Sequence, residues 1–155
     1  MSKLIKLVIS IVIPLIVGML GSLFTSMSVK TWYQTIKKPV FNPPNWLFAP
    51  VWTILFILIG LSFYFVWINN FGKYKNLCLF IYSLQLFFNL FWSASFFGLK
   101  SPLLASIVIS ILWILIVINI VLFYKVIPIS GFLLIPYILW VSFAAILNFS
   151  IVTLN

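Results

Sequence analysis

The chain contains no aspartate, no glutamate, no histidine and no arginine, and a single cysteine, Cys78. General acid–base catalysis ordinarily draws on histidine or a carboxylate side chain, so conventional hydrolytic chemistry is disfavoured. A zinc or di-iron centre needs several histidine, cysteine or carboxylate ligands, which this composition does not supply. A proton relay of intramembrane carboxylates is excluded, and so is a disulfide within the chain. Charge of any kind is scarce. Charged residues make up 6% of the 155 residues and apolar ones 65%, whereas a soluble domain carries about 25% charged residues. A water-facing surface cannot be built from such a list, and the mean hydropathy of +1.32 points to lipid as the main solvent.

The charge that is present has one sign. Nine lysines give a net charge of +9, which on its own would suit nucleic acid. Their positions argue otherwise. Lys3, Lys6, Lys30, Lys37, Lys38, Lys73, Lys75, Lys100 and Lys125 stand between apolar runs or at their edges, where lysine anchors helices to anionic headgroups. Membrane lipid is therefore the expected partner, and nucleic acid is not.

A spanning helix takes about 20 apolar residues. Five stretches qualify, at about 4–24, 45–67, 77–97, 102–124 and 129–154. They predict an all-α integral membrane protein, a five-helix bundle forming one domain over 1–155. Ser101 reads as an N-cap with Pro102 at the first helical position, and Pro136 falls inside the fifth span. The first span has a lysine-flanked start like a secretory leader. Its apolar run is long, however, and Pro14, Gly18 and Ser22 recur at helical spacing, as in helices that pack closely or dimerise. The odd number of spans puts five lysines on the N-terminal side and four on the other, too even a split for the positive-inside rule to orient the chain.

The connection at 25–44 is long for so small a bundle, and long connections are usually functional or disordered. Trp32, Tyr33, Ile36, Val40 and Phe41 would be unfavourable in water. Pro39, Pro43 and Pro44 reduce the entropy lost on ordering and push the residues before them away from helix. An ordered loop folded back over the bundle is the expectation.

Three spans carry stripes that combine aromatics with small or polar residues. In the third, Gln85, Asn89, Trp92, Ser93 and Phe96 share one face. In the fifth, Tyr137, Trp140, Ala144 and Asn148 do so, and in the second Trp52, Phe56, Gly60 and Phe63. Amides at membrane depth need partners, so the third-span stripe is either interhelical glue or the lining of a pocket. Trp92, Trp113 and Trp140 lie deep, and a deep indole N–H needs an acceptor, which Gln85, Asn89 or Asn148 can provide. Taken together the stripes match the usual make-up of a ligand site, aromatic walls with a few polar groups. Cys78 reads as an inert helix-end residue.

These motifs resemble the TspO/MBR family, the tryptophan-rich sensory proteins that include the mitochondrial translocator protein. "WY" at Trp32–Tyr33, "KP" at Lys38–Pro39 and "PP" at Pro43–Pro44 are similar to the family's first loop. "PVWT" (50–53), "QLFFNLFWS" (85–93) and "PYILWVSFAAILN" (136–148) are similar to its second, third and fifth helices, in order. The resemblance covers roughly 32–155. It implies a five-helix bundle, often a homodimer, that binds porphyrins, haem and drug-like hydrophobic ligands beneath the first loop. Matching motif to motif, the implied ligand-binding residues are Tyr33, Pro43, Phe48, Trp52, Gln85, Asn89, Trp92, Ser93, Trp140 and Ala144, with no catalytic residue, no metal and no obligatory cofactor. Lys37 and Lys38 would be placed to meet porphyrin propionates. Three departures stand out: no acidic residue in "ASIVIS" (105–110), "KPVFNPP" where the family has "KPxWTPP", and no basic residue beyond Lys125 for a sterol motif. The last argues against cholesterol binding and favours a bacterial cell-membrane protein over one of the mitochondrial outer membrane. Light- and oxygen-dependent porphyrin degradation on pocket tryptophans and a structural membrane subunit are the alternative functions.

Overall fold

The computed structural model describes residues 1–155; its regular elements are all helices, with no strand. Helix α1 runs Lys3–Ser28, α2 is a single turn at Trp32–Thr35, α3 is Asn45–Ile68, α4 is Lys75–Ser93, α5 is Pro102–Val126, α6 is Pro128–Phe132 and α7 is Ile135–Leu154. Beyond α4 the chain continues in a π-helical turn, Ala94–Gly98. Five units, Lys3–Ser28, Asn45–Ile68, Lys75–Gly98, Pro102–Val126 and Pro128–Leu154, are long and apolar enough to cross a membrane. The chain is a multi-pass membrane protein.

Local chemistry explains where these helices begin and break. Ser2 and Ser101 cap α1 and α5 by accepting from the N–H groups of Ile5 and Leu104, each at 3.2 Å. Such bonds satisfy donors that the helix cannot. The sequence suggests one continuous last span, but the chain breaks at Leu133–Leu134 and restarts, so that Pro136 sits in the first turn of α7. Proline is tolerated there because it lacks only an N–H that has no helical partner. The short α6 is held against α3 by a reciprocal pair. Ser62 Oγ donates to the Ser130 carbonyl at 2.7 Å, and Ser130 Oγ donates to the Ser62 carbonyl at 2.9 Å. At the other end, α1 passes the expected stop near Phe24 by one turn, where Ser28 Oγ reaches the Phe97 carbonyl at 2.9 Å.

Around the bundle, α1 packs on α3 and on α4, α4 on α5, and α5 on α7, while α3 and α7 approach only lightly. The centre is filled by Leu55, Ile59, Val66, Leu112, Ile116, Phe123 and Val141, all buried. An aromatic stack of Phe63, Tyr82 and Phe123 adds to it, with centroid separations of 4.5 and 5.7 Å. The outward faces are apolar, as on α1, where Leu4, Val8, Ile16, Met19 and Leu23 are exposed.

Of the α1 stripe Pro14, Gly18 and Ser22, the first two serve packing within the chain, whereas Ser22 is exposed and donates to the Met19 carbonyl of its own helix at 2.7 Å. Pro14 is buried. A Cβ on Gly18 would lie 2.7 Å from the Phe56 ring, and one on Gly21 3.6 Å from Ser93. The tightest helix contact comes from α3, where a Cβ on Gly60 would fall 2.5 Å from the Ser10 carbonyl oxygen and 2.8 Å from Ile11 Cα. Pro14 lies four residues after Ser10, so that carbonyl has no i+4 N–H to accept from. Gly60 therefore belongs to the α1–α3 contact. Alanine is the better helix former by about 1 kcal/mol, but the clash is with backbone and cannot be relieved by a side-chain rotation. Gly60→Ala should destabilise the bundle by about 1–3 kcal/mol, seen as a lowered Tm in detergent. An unchanged or raised Tm would show that α1 and α3 are not in this close contact.

Candidate functional site

The light α3–α7 contact leaves a concavity at the end of the bundle where α1 stops and α3 starts. Tyr33 of the lid, the segment 29–44, forms its roof. Phe48 and Trp52 of α3, Trp92 of α4, and Phe96 and Phe97 of the π turn line one side. Trp140, Phe143, Ala144, Leu147, Asn148 and Ile151 of α7 line the other. About 400 Å³ lies between these side chains, much of it open mouth and thin gaps, and only about 30 Å³ is wide enough for water-sized occupants. In this conformation the site is nearly closed.

Its walls are rings in contact. Trp52 stacks on Phe56 at 5.6 Å and meets Trp92 at 6.2 Å and Tyr137 edge-on at 6.4 Å. Trp140 meets Phe48 at 6.3 Å and Phe143 at 5.5 Å. Offset and edge-on pairs at these separations are favourable. The indole N–H groups are treated differently. Trp92 Nε1 donates to Asn148 Oδ1 at 2.9 Å, and Asn148 Nδ2 donates onward to the Pro102 carbonyl at 2.8 Å. One amide thus joins α4, α5 and α7. The Trp140 N–H is buried and has no acceptor in the protein. Trp113 lies elsewhere, partly exposed and donating to Ser142 Oγ at 2.8 Å.

Six of the ten residues implied from sequence line the cavity: Tyr33, Phe48, Trp52, Trp92, Trp140 and Ala144. The other four have different surroundings. Pro43 is in the lid, its carbonyl accepting from Asn42 Nδ2 at 3.4 Å. Ser93 faces α1 and donates to the Gly21 carbonyl at 2.9 Å. Gln85 and Asn89 lie in the bundle core on either side of Tyr137. Asn89 Nδ2 donates to Tyr137 Oη, which donates to Gln85 Oε1, both at 2.8 Å. They act there as interhelical links between α4 and α7. Phe143, Leu147, Asn148 and Ile151 complete the α7 wall; Asn148 already belongs to the sequence stripe, and the other three each lie three residues beyond one of its members, Trp140, Ala144 and Asn148. Phe97 could not be found that way. In a regular helix it would point about 100° away from Phe96, and it is the π turn that brings both rings inward, 4.8 Å apart.

The lid is ordered by its own polar groups. Tyr33 Oη donates to Asn42 Oδ1 at 2.9 Å, and the ring packs on Phe97 at 5.6 Å. Burial raises the Tyr33 phenol pKa, with the Asn42 hydrogen bond a smaller opposing effect, so the ring stays neutral under ordinary conditions. Lys38 Nζ donates to the carbonyls of Tyr33 at 2.6 Å and Ile36 at 3.1 Å and sits 4.7 Å from the Tyr33 ring centre. Its ammonium is engaged within the lid. Of the two lid lysines considered for propionates, Lys37 is the exposed one.

A five-helix membrane bundle with a lidded, tryptophan-walled cavity is thus the class of protein defined by fold and site. The sequence model of the TspO/MBR family matches residues 10–154. The chain is 44% identical to the tryptophan-rich protein TspO of Chlorobaculum tepidum, over 99% of this chain and 98% of that one. It is also 44% identical to the protein of the same name from Archaeoglobus fulgidus, over 99% of each. To the translocator protein of Bos taurus it is 30% identical, over 88% and 82% of the two chains. The chain belongs to the TspO/MBR family. Its higher identity to the two prokaryotic proteins fits a multi-pass membrane protein of bacterial type.

Two buried amides give opposite expectations. Asn148 and Asn119 are each 1% exposed, but Asn148 is bonded at both ends and neither polar atom of Asn119 has a protein partner. Removing a bonded partner strands the groups left behind at about 1–3 kcal/mol each, whereas removing an unpartnered one is near neutral or stabilising. Asn148→Leu should lower the Tm by several degrees and Asn119→Leu should leave or raise it. The same response from both, in thermal unfolding followed by tryptophan emission, would contradict this assignment.

Proposed function

We propose that this protein is a membrane receptor or carrier for flat, largely apolar ligands, with porphyrins and haem as the leading class and drug-like hydrophobic molecules accepted less selectively. The observation that carries the reading is the convergence of Trp52, Trp92 and Trp140, from three different helices, on one cavity under the lid. Rings on both sides favour planar ligands by stacking and burial. The Trp140 N–H, lacking an acceptor, offers a hydrogen bond to a ligand oxygen. Family membership supports a binding role, and a relative named translocator protein is consistent with one, since translocation begins with binding.

Sites for drug-sized ligands enclose about 300–1,000 Å³, so occupancy requires the lid to lift and the α3–α7 seam to widen. Between α3 and α7 the cavity is crossed by ring contacts such as Phe48–Trp140 rather than by hydrogen bonds, so it can widen without stranding polar groups. Lipid would cover the outward apolar faces, and a homodimer, the association that the family resemblance implies, would use part of them.

A second reading, light- and oxygen-dependent porphyrin degradation, is favoured by the two oxidisable indoles Trp52 and Trp140 on opposite walls. Illuminating the bound porphyrin should then yield a new absorbing product more slowly in Trp140→Phe. An unaltered porphyrin spectrum with the wild type would remove this reading and leave the receptor standing.

The receptor reading predicts saturable quenching of tryptophan emission by protoporphyrin IX in the micromolar range. Trp140→Ala should weaken it by about tenfold, on the scale of one buried aromatic contact with its hydrogen bond. Asn89→Leu should act mainly on stability. Unsaturable partitioning, equal in wild type and Trp140→Ala, would refute the proposal.

A further inference from the structure

We propose that Asn155 is a latch for the lid, and that ligands enter the cavity past the lid rather than through the seam between α3 and α7. The ligand part rests on the receptor reading, whereas the latch rests on geometry alone. Asn155 Oδ1 accepts from the Lys37 N–H at 3.0 Å, and Asn155 Nδ2 donates to the Lys37 carbonyl at 2.8 Å. One carboxamide thus satisfies both backbone groups of a single lid residue, as a neighbouring strand would. Nδ2 also donates to the Ile151 carbonyl at 2.8 Å, which ties the amide to the last turn of α7.

The remaining polar ties of the lid are local. Tyr33 to Asn42, and Lys38 to Tyr33 and Ile36, are bonds within it, and Ser28 to Phe97 lies at its root. The pair of bonds at Lys37 is the one hydrogen-bonded link from the lid across to α7. Asn155 follows Ile151 by four residues, and Ile151 lines the cavity, so the latch stands one turn above the α7 wall. Releasing it leaves the segment carrying Tyr33, the roof, joined to the bundle beneath it by ring packing on Phe96 and Phe97. The lid's other tie to α7 is the ring contact of Phe41 with Phe143 at 6.2 Å, while α3 and α7 stay in contact through Phe48 and Trp140. Both latch partners are exposed, so water can replace their bonds and the latch is reversible. With no acidic side chain in the chain, a carboxamide supplies the hold that an ion pair provides elsewhere.

Two measurements test this. Hydrogen–deuterium exchange on Asn155→Ala should show the amides of 29–44, Lys37 foremost, exchanging about fivefold faster or more, the effect of losing two modest hydrogen bonds. Exchange in the interiors of α3 and α7 should be unchanged. In a Lys37→Cys/Asn155→Cys variant, oxidation should close the lid covalently and stall uptake of protoporphyrin IX, and reduction should restore it. Lid exchange in Asn155→Ala equal to wild type would overturn the latch, and undiminished uptake by the oxidised variant would assign entry to the seam. If wild type shows no saturable uptake, the receptor reading falls and the exchange result alone decides the latch.

Discussion

Inside lipid a polar side chain can be satisfied only by the protein, and this chain meets most of that demand without one carboxylate or imidazole side chain, leaving a few buried groups, among them Asn119, Gln85 Nε2 and the Trp140 N–H, without a partner. It does so with neutral groups arranged in short relays between helices. Asn148 joins three helices, the Asn89–Tyr137–Gln85 relay joins α4 to α7, and the Ser62–Ser130 pair joins α3 to α6. Hydrophobic burial distinguishes poorly between helix registers when the surroundings are equally apolar. Directional bonds at fixed depths make that distinction, and the aromatic cavity is positioned by them. Trp92 faces it because its N–H is held by Asn148, and Trp52 packs edge-on against the Tyr137 ring of the relay.

The same division explains where the bundle can move. Hydrogen bonds and close glycine contacts concentrate on α1, α4 and α5 and on the α6 end of α3. The lidded end of the α3–α7 side is lined by rings that touch at 5.5–6.4 Å and carry few polar obligations. A ring can slide against another ring with little loss, whereas a stranded amide in lipid is disfavoured by several kcal/mol. A nearly closed cavity of this make-up is therefore compatible with a larger occupant, because α3 and α7 meet across it through rings such as Phe48 and Trp140.

Much of this was legible from residue order. Lysines and prolines at the edges of five apolar runs give the spans, and the proline- and aromatic-rich stretch 25–44 announces an ordered lid, of which α1 takes the first turn. Helical spacing groups Trp140 with Ala144. What could not be read follows from two properties of helices. Periodicity says which residues share a face but not what the face meets, so Gln85 and Asn89 share a stripe with Trp92 yet bond Tyr137 in the core, while Gly60 shares one with Trp52 yet lies against the α1 backbone. A local change of pitch defeats periodicity altogether, which is why Phe97 joins Phe96 only through the π turn. The α6–α7 break departs from the single span expected around Pro136, and α6 is held by Ser130 bonding Ser62, a partner far away in sequence.

The composition also determines what kind of lid this is. A lid closed by ion pairs would respond to salt, because exposed charges are screened within about 10 Å at moderate ionic strength. Here Lys38, the lid lysine that is engaged, points at backbone carbonyls and the Tyr33 ring rather than at an anion, and the link to α7 is a neutral carboxamide. Tyr33, the one lid phenol, is held protonated by burial. No carboxylate or imidazole side chain is available to titrate between acid and neutral pH. The contacts that close the lid in this structure are thus hydrogen bonds to neutral groups, ring packing and one ammonium–ring contact rather than ion pairs.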